Sequence, residues 1–168
     1  MDTRATMRLP FEQSIQAAAD AANGLRTDDR SQLRRDTKRI GDRSEIEVAV
    51  ALVRAGYTVS KPFGENQRYD FIADDGEQLQ RVQVKTGRVR DGVIKFNACS
   101  THGHRRTQLK LRPYHGQVDL LAVFCPETQK VYLVPESELT RSKIHLRLAS
   151  ARNNMVKTIR WAERYELP

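Results

Sequence analysis

The sequence contains few cysteines and no long apolar segment. Its 168 residues include two cysteines, too few for the disulfide framework that stabilises small secreted domains. No apolar run approaches the roughly 20 residues of a membrane-spanning helix. The N-terminus also lacks the basic and then apolar pattern of a secretion signal. We therefore expect a cytoplasmic protein with no membrane partner.

Two kinds of catalytic motif are also missing. There is no glycine-rich phosphate loop, and no serine or cysteine lies in a recognisable nucleophile motif. A small-molecule enzyme of either kind is therefore disfavoured. The apolar content of 39% and charged content of 30% are typical of a globular chain, and this length fits one domain that buries about two-thirds of its unfolded surface.

Positive charge is abundant and unevenly distributed. The net charge is +8, and residues 85–112 contribute +7 of it, from eight Lys or Arg against one Asp. Residues 141–168 contribute a further +5, from seven Lys or Arg against two Glu, so the remaining segments sum to −4. Concentrated positive charge of this kind indicates a polyanionic partner such as nucleic acid.

Residues 69–86 predict a β-hairpin. Two runs rich in β-branched and aromatic residues, 69–73 and 80–86, flank an Asp-Gly turn, which is a strong hairpin signal. Asp70 is expected in the first strand, and Gln83 and Lys85 in the second. Because strand side chains alternate, Gln83 and Lys85 share a polar face, whereas the valines beside them face a core.

A helix is predicted over residues 32–55, upstream of the hairpin. Ile46, Val50 and Val53 are spaced as on one apolar helix face, and Gly56 is a typical stop. Glu45 leans toward this apolar side and therefore requires a partner. Two interpretations stay open for Glu45: an ion pair with a nearby arginine, or a place in a functional site.

The remaining pattern alternates strands and turns. Residues 1–36 form an N-terminal extension, in part helical, that is either disordered or an arm for a partner or DNA. The other predicted elements are strands at 57–60, 93–97, 118–124 and 131–134, a basic polar crossing over 100–113, and a final helix at 154–165.

Oxygen donors and one lysine meet in the predicted hairpin. Mg²⁺ takes oxygen ligands, usually one or two carboxylates together with water and substrate phosphate oxygens. Asp70 supplies the principal carboxylate, while the Gln83 amide oxygen, the Val84 carbonyl and Glu45 are further candidate ligands. Lys85 is placed to orient a water and offset phosphate charge. This is the chemistry of metal-dependent phosphodiester hydrolysis, with Mn²⁺ as a substitute ion.

These residues resemble the PD-(D/E)XK nuclease superfamily. Tyr69-Asp70 stands in place of Pro-Asp, and Gln83-Val84-Lys85 in place of the acidic-x-Lys element. The helix containing Gly41 and Glu45 is similar to the first helix of archaeal Holliday-junction resolvases and Mrr-like nucleases. The glutamine at position 83 lowers the negative charge of the site, and glutamine at this position also occurs in Mrr-like and some restriction enzymes.

A closer resemblance is to the small PD-(D/E)XK endonuclease group that includes a group I intron homing endonuclease, over roughly residues 38–165. The shared motifs are Pro62-Phe63-Gly64, Tyr69-Asp70, Arg81-Val82-Gln83-Val84-Lys85-Thr86, Tyr114-x-Gly116-x-Val118-Asp119, Val131-Tyr132-Leu133-Val134-Pro135, Leu146-Arg147-Leu148 and Asn153-Asn154. Their order and spacing together are specific.

The resemblance implies a fold and an activity. The fold is an α/β, restriction-endonuclease-like core over residues 37–168, with a central mixed β-sheet flanked by helices. The activity is metal-dependent DNA endonuclease. Three functions stay open: sequence-specific homing or restriction-like cleavage, resolution of branched DNA such as Holliday junctions, and DNA binding without catalysis. Cleavage of two strands favours a homodimer or homotetramer.

The basic residues nearest the hairpin are the expected DNA contacts. Most contacts of this kind go to phosphates and sugars, so they position the duplex. The first expected group follows the hairpin directly and comprises Arg88, Arg90, Lys95, Arg105, Arg106, Lys110 and Arg112. A second expected group comprises Arg147, Arg152 and Lys157.

Asp119 is a carboxylate in an otherwise apolar predicted strand. Burial of a carboxylate is costly unless it is hydrogen-bonded or paired. We favour a structural hydrogen bond, with Tyr114 as the expected partner, over a role as a third metal ligand.

Overall fold

The computed structural model describes residues 37–64, 66–102, 110–149 and 159–168. Within these ranges there are one α-helix and ten strands. None of the described helices is long and apolar enough to cross a membrane. The elements are α1 Thr37–Arg54, β1 Thr58–Ser60, β2 Phe71–Asp74, β3 Leu79–Thr86, β4 Arg88–Arg90, β5 Val93–Asn97, β6 Cys99–His102, β7 Lys110–Pro113, β8 Leu120–Cys125, β9 Lys130–Pro135 and β10 Lys143–Arg147.

A five-stranded mixed sheet forms the centre of the fold. Its strand order is β1-β2-β3-β8-β9, and its pairs are antiparallel except β3 with β8, which run parallel with Val84 opposite Ala122. The predicted hairpin is confirmed, since Phe71 pairs with Val82 and Asp74 with Leu79. The α/β class with a central mixed sheet is therefore confirmed, with one helix described where flanking helices were expected.

The connection from β3 to β8 is long because parallel neighbours require a crossover. It contains β4 and β5 and the β6–β7 hairpin. Strand β10, later in the chain, completes a three-stranded sheet with β4 and β5 in the order β10-β5-β4. The predicted basic polar crossing over 100–113 begins and ends in strands that were not predicted, since Cys99 pairs with Pro113 and His102 with Lys110. Strands β4 and β10 were also missed, because they are short and rich in basic residues.

Two apolar cores lie on opposite faces of the central sheet. In β8, Leu121 and Val123 face one core, whereas Ala122 and Phe124 face the other. The first core is shared with the three-stranded sheet and includes Ile94, Phe96, Ile144 and Leu146. The second core is shared with α1 and includes Val48, Leu52, Phe71, Ala73, Val82 and Val84. The continuous apolar run of β8 is thus explained by burial on both faces.

Helix α1 packs with a different face from the one predicted. Its buried residues are Ser44, Val48 and Leu52, whereas Ile46 and Val53 are 65% and 59% exposed. Apolar residues occur on both sides of this helix, so spacing alone could not decide which side faces the sheet. Position 44 is polar and fills a core position because its hydroxyl finds a partner on β3.

A close approach fixes the exit from β3. A Cβ on Gly87 would lie 2.6 Å from Ile94 Cγ2 and 2.9 Å from Val123 Cγ1, closer than carbon atoms pack. The Gly87 N–H also donates to the Phe124 carbonyl at 2.8 Å. Absence of a side chain at Gly87 therefore lets β4 begin directly beside the end of β3.

The C-terminal segment differs from the predicted helix over 154–165. Residues 150–158 lie outside the described ranges. From 159 onward the chain is extended, with a short 3-10 turn at Ala162–Arg164. Its backbone pairs with strand edges: Arg147 N–H donates to the Arg160 carbonyl and Leu133 N–H to the Tyr165 carbonyl. Available edge hydrogen bonds explain why the described part is not α-helical.

Candidate active site

Asp70 lies at the meeting point of β2 and β3. It immediately precedes β2 instead of lying within it, although its N–H still donates to the Val82 carbonyl at 2.8 Å. Asp70 Oδ2 accepts hydrogen bonds from the Val84 N–H at 2.7 Å and from Gln83 Nε2 at 2.5 Å. The hairpin register therefore brings the predicted residues Asp70, Gln83 and Val84 together.

Partial burial disfavours the ionised form of the Asp70 carboxylate. Its partial burial raises its pKa above the ordinary aspartate value, and the negative charge of Glu45 acts in the same direction. The Val84 N–H and the positive charges of Lys85 and Lys61 oppose this shift. A carboxylate that is kept partly dry and surrounded by hydrogen-bond donors is suited to exchange those donors for a cation.

The arrangement of oxygen atoms fits a divalent cation. Gln83 Nε2 contacts both Asp70 Oδ2, at 2.5 Å, and the Val84 carbonyl oxygen, at 3.2 Å, so these two oxygens converge on one point. Both are the hard donors that Mg²⁺ takes. In the described part of the chain no three His, Cys, Asp or Glu side chains form a metal cluster, so a cation held here would take its other ligands from amide and carbonyl oxygens or water.

Glu45 is paired, but with a lysine and not with the arginine considered from the sequence. Its Oε2 lies 2.9 Å from Lys61 Nζ, and this hydrogen bond raises the pKa of Lys61. Glu45 also lies close enough to Asp70 for its negative charge to raise the pKa of Asp70. Lys61 was missed by the sequence analysis because it follows β1 as a single lysine with no motif around it.

Lys85 is directed toward an aromatic ring. Its Nζ lies 4.9 Å from the centroid of the Tyr114 ring, and the guanidinium carbon of Arg68 lies 4.4 Å from the same centroid. Tyr114 is only 3% exposed, so its ring position is fixed by the core. The Tyr114 ring therefore fixes the position of the Lys85 ammonium. The positive charge of Lys85 partly offsets the rise in the pKa of Asp70.

Arg68 is a site neighbour that the sequence analysis did not identify. Its guanidinium donates to Gln117 Oε1, to Ser100 Oγ at 2.7 Å and to the Pro113 carbonyl at 3.1 Å. These bonds connect the residue two positions before Asp70 with the segment that carries Tyr114. The only available signal was its place next to Tyr69-Asp70, which does not reveal partners more than 30 residues away.

Helix α1 is fastened to β3 by a pair of hydroxyls. Ser44 Oγ and Thr86 Oγ1 are 2.6 Å apart, and Ser44 Oγ also donates to the Ile40 carbonyl at 3.0 Å. Each hydroxyl belongs to the sequence neighbour of a predicted site residue, Glu45 in one case and Lys85 in the other. The bond therefore fixes the relative position of these two residues.

Asp119 forms structural hydrogen bonds, as predicted from the sequence, but its partner is Arg81 and not Tyr114. Its Oδ2 accepts from the Arg81 N–H at 2.7 Å and from Arg81 Nε at 3.0 Å, and Oδ1 accepts from Arg81 Nη2 at 2.8 Å. The Arg81 guanidinium lowers the pKa of Asp119. This paired geometry holds β8 beside β3 and leaves Asp119 outside the metal-ligand candidates.

The predicted DNA contacts fall into three groups. Arg88, Arg90 and Lys95 come together and line, with Thr86, a cavity of about 580 Å³. Arg147 lies on β10 and Arg112 on β7, while for Lys110 only the backbone position in β7 is described. Predictions outside the described residues are Arg105, Arg106, Arg152 and Lys157.

Asp70→Asn is expected to raise the unfolding temperature of the metal-free protein at pH 7. Asparagine keeps an oxygen for the Val84 N–H but removes a charge that burial disfavours. The sign follows from the raised folded-state pKa of Asp70: its ionised form is destabilising above that pKa, and this cost disappears as the pH falls through it. A rise of about 2–4 °C would correspond to about 1 kcal/mol.

Thermal unfolding in EDTA at pH 7 and at pH 4 measures this difference. The gap between Asp70→Asn and wild type should shrink at the lower pH. A variant that is less stable than wild type at pH 7 would contradict the assignment of a desolvated charge to Asp70.

Comparisons with known proteins identify a family for this chain. The family model described as PD-(D/E)XK endonuclease matches residues 35–168. No curated protein gives a significant match to the sequence.

A solved structure, that of a bacterial homing endonuclease, is similar to this chain. The two share 25% sequence identity with a TM-score of 0.64, and the match covers 78% of this chain and 88% of the other. The family match extends over most of the sequence and includes every element of the candidate site, so this chain belongs to the PD-(D/E)XK endonuclease family.

Proposed function

We propose that this protein is a divalent-metal-dependent endonuclease that hydrolyses phosphodiester bonds of DNA, with Asp70 and Lys85 at the centre of its site. The observation that carries the proposal is the convergence of Asp70 Oδ2 and the Val84 carbonyl oxygen on one point. The Lys85 ammonium lies against the Tyr114 ring, and its charge acts on the Asp70 carboxylate. Nucleases of this family generally use divalent metal ions.

The proposed ligands are Asp70, the Val84 carbonyl, the Gln83 amide oxygen and Glu45, directly or through water. A bound Mg²⁺, or Mn²⁺ in its place, supplies charge neutralisation at the phosphate and a more acidic water. Gln83 must then present Oε1 instead of the nitrogen that now contacts Asp70. A 180° rotation of the amide makes this exchange, since the two ends of an amide have nearly the same shape.

Lys85 acts on the reacting water and phosphate in this proposal. The water oxygen bonds to phosphorus, one phosphorus–oxygen ester bond breaks, and a proton from the water balances the charge of the leaving oxygen. The Lys85 ammonium donates hydrogen bonds to the attacking water and a phosphate oxygen. Since the ring of Tyr114 keeps Lys85 in place, little orientation entropy remains to be lost in the reaction.

Glu45 and Lys61 exchange partners in the proposed reaction. Their ion pair is open to solvent, with the Lys61 side chain 67% exposed, and exposed pairs contribute at most about 1 kcal/mol. Lys61 would be able to turn toward a phosphate if Glu45 held the metal or its water. Lys61 is an additional candidate contact to the substrate.

Sequence-specific cleavage of duplex DNA, of the homing or restriction type, is the proposed form of the activity. The similarity to a bacterial homing endonuclease supports this form over resolution of branched DNA. A homodimer or homotetramer is proposed, because two strands require two sites of this kind.

Substitution of Asp70 or Lys85 by alanine is expected to lower DNA cleavage at least about 100-fold while the protein stays folded. The reason is the loss of the principal carboxylate or of the ammonium beside it. The assay measures cleavage of plasmid, genomic and four-way-junction DNA with Mg²⁺, with Mn²⁺ and with EDTA. Asp75→Ala is the matched control, since Asp75 lies exposed in the hairpin turn.

Full cleavage by the Asp70→Ala variant would contradict the assignment of Asp70 to the active site. Binding of DNA by wild type without cleavage in either metal would instead favour a non-catalytic module. Direct formation of linear plasmid, without accumulation of the nicked circle, is expected if two sites act together.

Tyr114→Leu is expected to lower kcat by about 10-fold with little change in KM, whereas Tyr114→Phe stays within about twofold of wild type. A cation over an aromatic ring is stabilised by about 0.5–2 kcal/mol, and phenylalanine keeps the ring while leucine does not. Steady-state kinetics on a cleaved substrate, together with unfolding temperatures, measures the effect. Equal losses in both variants would contradict a positioning role for the ring.

A further inference from the structure

The outer face of the three-stranded sheet formed by β4, β5 and β10 is almost entirely basic. These strands read Arg-Val-Arg, Val-Ile-Lys-Phe-Asn and Lys-Ile-His-Leu-Arg and contain no Asp or Glu. Their inward residues, including Ile94, Phe96, Ile144 and Leu146, fill the core. The side chains that alternate with these lie on the outer side, where Val93 is buried and the basic residues are Arg88, Arg90, Lys95, Lys143, His145 and Arg147. We call this surface the β4–β5–β10 face.

Strand register orders these side chains into rows. His145 lies opposite Lys95, and Lys95 lies opposite Arg88, so one row crosses all three strands. Arg147 and Arg90 flank Val93 in the next row, and Lys143 pairs with Asn97 in the row before. Strands are about 4.8 Å apart. Each full row therefore spans about 10 Å of one flat surface.

Few carboxylates neutralise this charge. Lys95 lies 3.3 Å from Asp91 and Arg88 lies 3.5 Å from Glu127, and both pairs are solvent-exposed, so they are weak. Among the described residues, no carboxylate forms an ion pair with Arg90, Lys143, His145 or Arg147. Arginine and lysine side chains placed side by side without counter-charge repel one another, which favours a polyanion over solvent at this face.

The β4–β5–β10 face begins at the end of β3, the strand that carries Lys85. Thr86, the residue after Lys85, lines the same cavity of about 580 Å³ as Arg88, Lys95, Lys143 and His145. Gly87 provides the close connection between β3 and β4. Arg88, the first residue of the face, follows Lys85 by three positions, with no Asp or Glu between them.

We infer that the β4–β5–β10 face is the surface on which the phosphate backbone of duplex DNA docks, and that Lys143 and His145 are among its contacts. This inference rests on the proposed function and adds two residues and a direction to it. The duplex extends from Lys85 across the rows toward β10. Its binding there needs no metal, because charge on the protein neutralises the phosphates.

The test uses the full chain carrying Asp70→Ala, in EDTA, with a fluorescent 40-base-pair duplex. The double substitution Lys143→Gln with His145→Gln is compared with Arg54→Gln, which removes a positive charge from the exposed end of α1. We expect the double variant to bind about 5- to 20-fold more weakly at low salt. Its slope of log affinity against log salt should fall by about one for each lost phosphate contact.

Unfolding temperatures identify any variant that is misfolded, and the exposed positions of Lys143 and His145 make single substitutions available in that case. If the double variant binds with the affinity and salt slope of the parent, the inference is overturned, and Asp70-dependent cleavage by wild type would leave the proposed function standing. Equal losses for Arg54→Gln would also overturn it, since net charge alone would explain them. Absence of any duplex binding would overturn both.

Discussion

The carboxylate of Asp70 is stabilised by donors that come from the next strand, and the arrangement of the site depends on this interaction. Asp70 Oδ2 accepts hydrogen bonds from the Val84 N–H and from the Gln83 side-chain amide at the same time. Because both donors belong to β3, the contact exists only when β2 and β3 pair in their observed register. A slip of one residue would turn Gln83 and Lys85 into the α1-facing core. The alternating apolar residues of β3 thus fix the register that places Gln83 and Lys85 beside Asp70.

A second group of contacts ties the hairpin to distant parts of the chain. Arg81 is bound to Asp119 on one side of β8, and Arg68 reaches the segment around Tyr114. On the opposite face of the sheet, Thr86 is bound to Ser44 of α1. The parallel β3–β8 pair lies at the centre of these links. These links set the position of Asp70 and Lys85 relative to the rest of the fold.

The sequence predicted the hairpin, the strands that correspond to β8 and β9, and the meeting of Asp70 with Gln83 and Val84. These features are local or follow from period-two alternation. It did not predict that Lys61 pairs with Glu45, that Arg81 pairs with Asp119, or that the ring of Tyr114 lies under Lys85, since each contact joins residues far apart in the chain. The α1 face was wrong because Ile46 and Val53 compete with Val48 and Leu52 as apolar positions. Strand β10 was missed because its outward residues are basic, and those same residues give it its proposed role.

The most direct test of a metal-dependent DNA endonuclease uses one substrate in two states. Duplexes bound by the wild-type protein in EDTA are selected from a random library, and Mg²⁺ is then added to the selected complexes of wild type and of the Asp70→Ala variant. We predict cleavage at a defined position by wild type, and none by the variant or before Mg²⁺ is added. Selected duplexes that stay intact with Mg²⁺ and with Mn²⁺, or that are cut in EDTA, would contradict the account.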